Sequence, residues 1–343
     1  MPIRIRCAHL PADRDALIAL FQRCLLPNYD AQRFAWLYHA SPHGAALAWL
    51  AEEEGSGEVV GASAAFPRKM YFEGRETAGL VLGDFCMSES CRSLGPALKL
   101  QRATLEAVNE APFAFCYDLP GRSMMAVYKR LGIGEGQKLQ RWAKPLRADG
   151  RILRVVKSKS LASPLAGIAN AVLARRGAKG EEKAFQLEIL EGPCGEEFTE
   201  LSRQDGQRGG LRTSRTAEFL NWRYLTHPSV KHEILTARKG GRLAGYAVLA
   251  AGRDEFAIVD LCGLENGVVT RLLAGATDHL RETGAPTVSL YAGEQHPWNG
   301  LFEAAGFRRR ESGPTVFYAP PSAEISEARI RGCWYLMRGE RDS

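Results

Sequence analysis

"CRSLGPALKLQRATLEA", residues 91–107, places an arginine, a glycine and a proline within five residues and then runs straight into a helical pattern. Leu98, Leu100, Leu105 and Val108 recur with charges between them, and Pro96 stands where a helix tolerates a proline, in its first turn. Just upstream, residues 59–87 alternate like adjacent strands, with "EGR" (73–75) as the turn between two of them. Just downstream, "FAFCYDL" (113–119) reads as a buried strand. The order strand, glycine turn, helix, strand has a chemical meaning. A helix N-terminus carries unsatisfied N–H groups and about half a positive charge, so phosphate oxygens are stabilised there. Gly95 leaves room for a ligand beside the backbone, and Arg92 adds a permanent cation. The turn therefore reads as an anion site, or simply as a connection between a strand and a helix.

Working outward, the chain repeats itself. "FAWLYHASP" (34–42) and "FLNWRYLTHP" (219–228) place Trp36, Tyr38 and Pro42 at the same spacing as Trp222, Tyr224 and Pro228. A glycine-bearing strand follows each ("VVGASAAF", 59–66; "RLAGYAVLA", 242–250), and each half ends on a similar helix and turn ("VYKRLGI", 127–133; "LFEAAGF", 301–307). Three landmarks in one order indicate a duplication. The fold class that follows is α/β, an α+β mixed sheet with helices, built twice. The expected boundaries are 1–142, a connector over 143–185, a second half over 186–318 and a tail over 319–343. The connector carries ten Lys/Arg against three Asp/Glu, more than the chain's whole net charge of +6, so the remainder is nearly neutral. Within it, "SPLAGIANAVLARRGAKG" (163–180) has cap and stripe signals of an amphipathic helix that docks on a domain, with peripheral membrane contact through 160–179 as the other reading.

Composition narrows the remaining classes. With 343 residues and 45% apolar content the chain is long enough for two cores. The eight cysteines form no C-x-x-C pair and have no histidines at zinc spacing, so no disulfide framework or metal site is expected, and a reducing cytoplasm fits best. Asp13 and Asp15 interrupt the N-terminal apolar segment, and no apolar run reaches membrane length, so a soluble protein is expected. Motifs for P-loop nucleotide binding, serine hydrolysis and zinc proteolysis are absent, and the glycine clusters at 55–61 and 132–136 miss the dinucleotide spacing or its strand context.

The turn Arg92, Ser93, Leu94, Gly95, Pro96, Ala97 resembles the Q/R-x-x-G-x-G/A signature of the GNAT superfamily of acyl-CoA-dependent N-acetyltransferases. "MMAVYKRLGI" (124–133) is similar to that family's A-x-x-x-Y-x-x-x-G-F helix, with Ile133 at the phenylalanine position and Gly121 where an asparagine often stands. The resemblance covers both halves unequally. The second half lacks the signature turn and has Phe302 at the tyrosine position, so it implies tandem GNAT-like domains with a degenerate C-terminal cofactor site.

What the resemblance implies is an N-acetyltransferase that takes acetyl-CoA, or another acyl-CoA, and a primary amine on a small molecule, sugar or peptide. It acts by direct attack in a ternary complex, and no nucleic-acid partner is expected. The backbone of Phe85, Cys86 and Met87 would meet the thioester and pantetheine, and residues 92–97 the pyrophosphate. Tyr128 would be the general acid, and Asp84 the base, with Glu89 as the other carboxylate nearby. Cys86 and Cys91 have no sequence-adjacent histidine, and direct transfer needs no cysteine, so both read as structural. "FLNWRYLTHP" and the tail "CWYLMRGERDS" also resemble bacterial proteins of this kind in surface-polysaccharide or lipid-linked pathways. Two alternatives stay open: a binding or scaffold protein that keeps the fold, and an aminoacyl-tRNA-dependent transferase.

Overall fold

The computed structural model describes residues 2–109, 112–147, 184–252 and 256–341. The helix expected within 163–180, with its Arg175 and Arg176, and most of the 143–185 connector lie outside the described residues.

The first half runs β1 (Ile3–Cys7), α1 (Leu10–Cys24), α2 (Ala31–Tyr38), β2 (Leu47–Glu53), β3 (Val59–Phe72), β4 (Arg75–Met87), α3 (Leu94–Glu106), β5 (Phe115–Asp118), α4 (Arg122–Arg130) and β6 (Leu139–Pro145). The second half repeats that order with one strand, β8, inserted between its first two helices: β7 (Gln186–Ile189), α5 (Glu196–Gly206), β8 (Leu211–Thr213), α6 (Ala217–Leu220), β9 (His232–Lys239), β10 (Arg242–Ala250), β11 (Phe256–Gly263), α7 (Asn266–Glu282), β12 (Thr287–Gly293), α8 (Asn299–Ala304) and β13 (Arg308–Gly313). β14 (Val316–Tyr318) and the short helix α9 (Glu327–Ile330) follow. Local chemistry sets these limits. Asp30 accepts from the Arg33 amide to cap α2, and Thr216 caps α6 in the same way. Glu73 and Gly74, both with positive φ, form the two-residue turn that joins β3 to β4.

Among the described residues the strands form two seven-stranded sheets. One has the order β1-β2-β3-β4-β5-β14 with β8 paired to β3, and the other β7-β9-β10-β11-β12-β6 with β13 beyond β6. Six strands correspond in order, β1-β2-β3-β4-β5-β14 with β7-β9-β10-β11-β12-β6, whereas β8 and β13 have no counterpart in the other sheet. Each holds one parallel pair, β4 with β5 and β11 with β12, bridged by the long helices α3 and α7. The duplicated mixed α/β fold read from the sequence is therefore present.

The closing strands are exchanged. β6 leaves the first half to pair with β12 in the second sheet, and β14 returns to pair with β5 in the first. The boundary expected at residue 142 falls inside β6, where Trp142 packs edge-on against Phe302. The halves are thus not separable along the chain at that point. Each sheet needs one strand that the other half's segment supplies.

The halves also share a core. Trp36 Nε1 donates to the Trp222 carbonyl at 2.8 Å and Trp222 Nε1 to the Trp36 carbonyl at 2.9 Å, with the rings stacked 5.1 Å apart. This reciprocal pair sits in one buried cluster with Tyr38, Phe66, Phe198, Tyr224, Tyr246 and Trp334. Stacked indoles contribute about 0.5–1.5 kcal/mol beyond the area they bury. The tryptophans that mark the repeat therefore hold the two copies together.

Candidate functional site

β4 and β5 pair only where Gly79, Leu80 and Val81 face Phe115, Cys116 and Tyr117. β4 runs on to Met87 while β5 stops at Asp118, so the strands part and a cleft opens between them. Gly79 permits the close approach before the parting, because a Cβ there would lie 2.6 Å from the Phe115 ring. Within β4 the register against β3 shifts between Ala62 and Ala64, and Asp84 takes a φ of 46°. That bulge changes the aim of the strand at the point where it lines the opening.

The cleft has a volume of about 530 Å³. Phe85, Cys86 and Met87 of β4 form one wall, Met124 and Val127 of α4 another, and Arg92, Ser93, Leu94 and Ala97 the turn into α3. Gly95 and Pro96 belong to the same turn without lining the cleft, and a Cβ at Gly95 would meet no atom within 4 Å. Ser93 is the N-cap of α3 and makes no side-chain cap bond, so the first amides of the helix lack that internal acceptor. Apolar walls ending in a cationic helix start suit a long ligand with an apolar arm and a phosphorylated end.

A second cavity, of about 270 Å³, adjoins the first through Phe85, Gly121 and Met124, which line both. Its wall holds two carboxylates, Asp84 and Asp118, and two arginines, Arg33 and Arg341. Asp84 is buried, and the hydroxyls of Tyr29 and Tyr38 donate to its Oδ2 at 3.2 and 3.0 Å. Burial, together with the Asp84 charge, pushes both phenols above their ordinary range, so they remain donors. Asp118 ends β5 and accepts from the Tyr128 hydroxyl at 2.7 Å. Burial raises its carboxyl to about 6, against the opposing pull of the Tyr128 hydrogen bond.

Tyr128 is fully buried and lines neither cavity. Its hydroxyl donates to Asp118 and accepts from Gln101 Nε2 at 3.2 Å, and burial with the Asp118 charge lifts its pKa well above the usual phenol value. Its contact with the site therefore runs through Asp118. Glu89 is exposed, in the short turn Glu89–Cys91, and lines neither cavity. Burial pushes the Cys86 thiol far up, which keeps it from being a thiolate nucleophile at neutral pH.

The second half places different chemistry at the matching point. Asp260 corresponds to Asp84, and Tyr224 donates to it at 3.0 Å as Tyr38 does to Asp84. Here Arg215 closes on the carboxylate at 2.9 Å and also on Glu340 at 2.6 Å, all three buried. Beside β12 the C-terminal segment fills the corresponding space: Gly293 donates to the Leu336 carbonyl at 3.1 Å, and Ala292 bridges Met337. Phe302 is buried in α8.

Sequence reasoning missed Asp118, Tyr29, Arg33 and Arg341. Asp118 had a local signal, a carboxylate closing a buried strand before Leu119-Pro120. The others reach the site only through tertiary packing.

No family model and no curated protein matches the sequence. Solved structures do match it in shape. A GCN5-related N-acetyltransferase from Anabaena variabilis superposes with a TM-score of 0.66 at 14% identity, over 92% of this chain and 73% of its own. The fold is that of the GCN5-related N-acetyltransferases, in tandem. A conserved Enterococcus faecalis V583 protein of unknown function, named a probable N-acyltransferase, matches with a TM-score of 0.67 at 12% identity, over 93% of this chain and 73% of that one. The Saccharomyces cerevisiae N-myristoyltransferase, solved with bound myristoyl-CoA and inhibitors, matches over 98% of this chain and 88% of its own, with a TM-score of 0.56 at 12% identity. Among the described residues, no helix is long and apolar enough to cross a membrane.

Proposed function

We propose that the protein is an acyl-CoA-dependent N-acyltransferase, with acetyl as the acyl group, that the first half holds the acyl-CoA, and that the second half has lost that capacity. The observation that carries this reading is the meeting of two cavities at Phe85, Gly121 and Met124: one apolar with a cationic helix start, the other lined by two carboxylates. The N-myristoyltransferase of the same fold was solved with an acyl-CoA bound, which supports the class of co-substrate.

Acyl-CoA supplies an activated thioester. Arg92 and the first amides of α3 would hold its phosphates, and Phe85, Met87, Leu94 and Val127 would cover its apolar arm. Backbone N–H groups of β4 beyond Val81, no longer paired with β5, are placed to polarise an acyl carbonyl. The acceptor amine enters the smaller cavity. Asp118, raised to about 6 by burial, takes the proton that the attacking amine must lose. Asp84, fixed by Tyr29 and Tyr38, places negative charge where an incoming ammonium is attracted. Tyr128 positions Asp118 through its hydrogen bond, and Asp118, once it has taken the amine's proton, can return it to the sulfur as the thiolate leaves. In the second half Arg215 neutralises Asp260, and the tail occupies the splay, so neither requirement is met there.

Acetyl-CoA is expected to raise the melting temperature of the full chain, and a panel of primary amines to be acetylated, read by release of free thiol. Absence of a shift with acetyl-CoA and with longer acyl-CoAs, together with no thiol release, would exclude the reading.

A further inference from the structure

A third cavity, of about 390 Å³, lies where α2 of the first half meets the second half and the C-terminal segment. Four arginines line it, Arg33, Arg223, Arg338 and Arg341, together with His227 and His232, and no carboxylate among the described residues does. Arg33 and Arg341 also line the cavity that holds Asp84 and Asp118, so the two spaces are continuous across those two side chains.

Arg338 and Arg341 are exposed and Arg33 is half-buried, so these guanidinium groups are accessible to an anion that enters the cavity. Among the described residues Arg33, Arg338 and Arg341 make no ion pair with a carboxylate. Instead, the guanidinium of Arg33 lies 5.3 Å from the Tyr29 ring centre and that of Arg338 5.4 Å from the Tyr291 ring centre. Arg33 Nε is buried and has no hydrogen-bond partner among the described residues. Arg223 is held in place by the Gly339 and Arg341 carbonyls. Two histidines share the cavity with these arginines. Burial is the main cause that lowers both to about 4, and Arg223 lowers each further, so both are neutral and add hydrogen-bonding capacity without charge.

We propose that the arginine cavity binds an oxyanionic group, a phosphate or a carboxylate, carried by the same acceptor whose amine lies against Asp84 and Asp118. This rests on the transferase reading for the word acceptor, and it narrows the substrate class from any primary amine to an amino compound with an anionic end. Guanidinium groups match both oxyanions with paired N–H donors. Carboxylates at one end and arginines at the other also fix the acceptor's direction, because the reverse placement brings like charges together at both ends.

The test uses three probes on one skeleton: 6-aminohexyl phosphate, 6-aminohexanoate and hexylamine, titrated calorimetrically into the full chain saturated with CoA so that the Arg92 site is occupied. At least one anionic probe is expected to bind tenfold or more tighter than hexylamine, and the better of the two identifies the oxyanion. Arg338→Gln, at an exposed position, and Arg33→Gln are each expected to reduce that advantage about tenfold, and raised salt to erode it. Equal affinity for all three probes, or an advantage that both variants leave intact, would overturn the proposal. The transferase reading is scored separately by acetyl-CoA stabilisation and thiol release. Loss of those signals with the arginine-dependent preference retained removes the transferase alone and supports the anion site.

Discussion

In the proposed reaction Asp118 is the residue on which the chemistry turns. Its carboxyl is raised by burial to about 6, so it is ionised at neutral pH yet basic enough to accept a proton. Activity should therefore fall as pH drops through about 6, and Asp118→Asn should lower kcat by about 10²–10⁴-fold. Stability gives an independent reading. A carboxyl with a folded pKa above its unfolded value binds more protons in the native state between about 4 and 6, so its penalty is complete above that window. Asp118→Asn is accordingly expected to melt no lower than the wild type at pH 8, measured by calorimetry, even as it loses activity. Tyr128→Phe removes the hydrogen bond that holds the Asp118 pKa down, so the acidic limb of the pH–rate profile should move upward and turnover should slow. An unmoved limb would detach Tyr128 from the site. Asp84 was legible as a carboxylate on the strand before the turn, because strand and turn are local patterns. The pairing of Asp118 with Tyr128 was not, since it depends on how β5 and α4 pack.

Among the elements, the short pairing of β4 with β5 decides whether a cleft exists. Gly79→Ala would drive a methyl group into the Phe115 ring, at a cost of about 1–3 kcal/mol, and should also weaken acyl-CoA binding by shifting the point at which the strands part. A denaturant titration paired with ligand titration checks both. The strand–turn–helix run from β4 into α3 was readable because alternation, Pro96 and helical spacing are all local. The bulge at Asp84 was not, because it exists only against the partner strand β3, where the register shifts. The same limit hid the exchange of β6 and β14: alternation tells which face of a strand is buried, not which sheet will take it.

At the level of the whole molecule, the repeat visible as Trp36, Tyr38 and Trp222, Tyr224 became the interface between the copies. Trp36→Ala should cost about 3–5 kcal/mol, because it removes a buried ring and leaves the Trp222 carbonyl without its indole donor. A fragment ending at residue 142 should fail to fold cooperatively, since its sheet would lack β14 and β6 would have no partner. The role of the C-terminal segment had no sequence signature. Its backbone bridges to β12, and Glu340 pairs with Arg215, which also holds Asp260; both contacts exist only once the C-terminal segment has packed back against the second half. The same packing builds the arginine cavity from α2, the second half and the tail.

The claim beneath all of these is that one acyl-CoA binds per chain, in the first half, with Arg92 at its phosphates. Isothermal titration of the full chain with acetyl-CoA tests it most directly. The account predicts a stoichiometry of one and at least a tenfold loss of affinity in Arg92→Glu. No binding heat, two equivalent sites, or a single site indifferent to that substitution would contradict it.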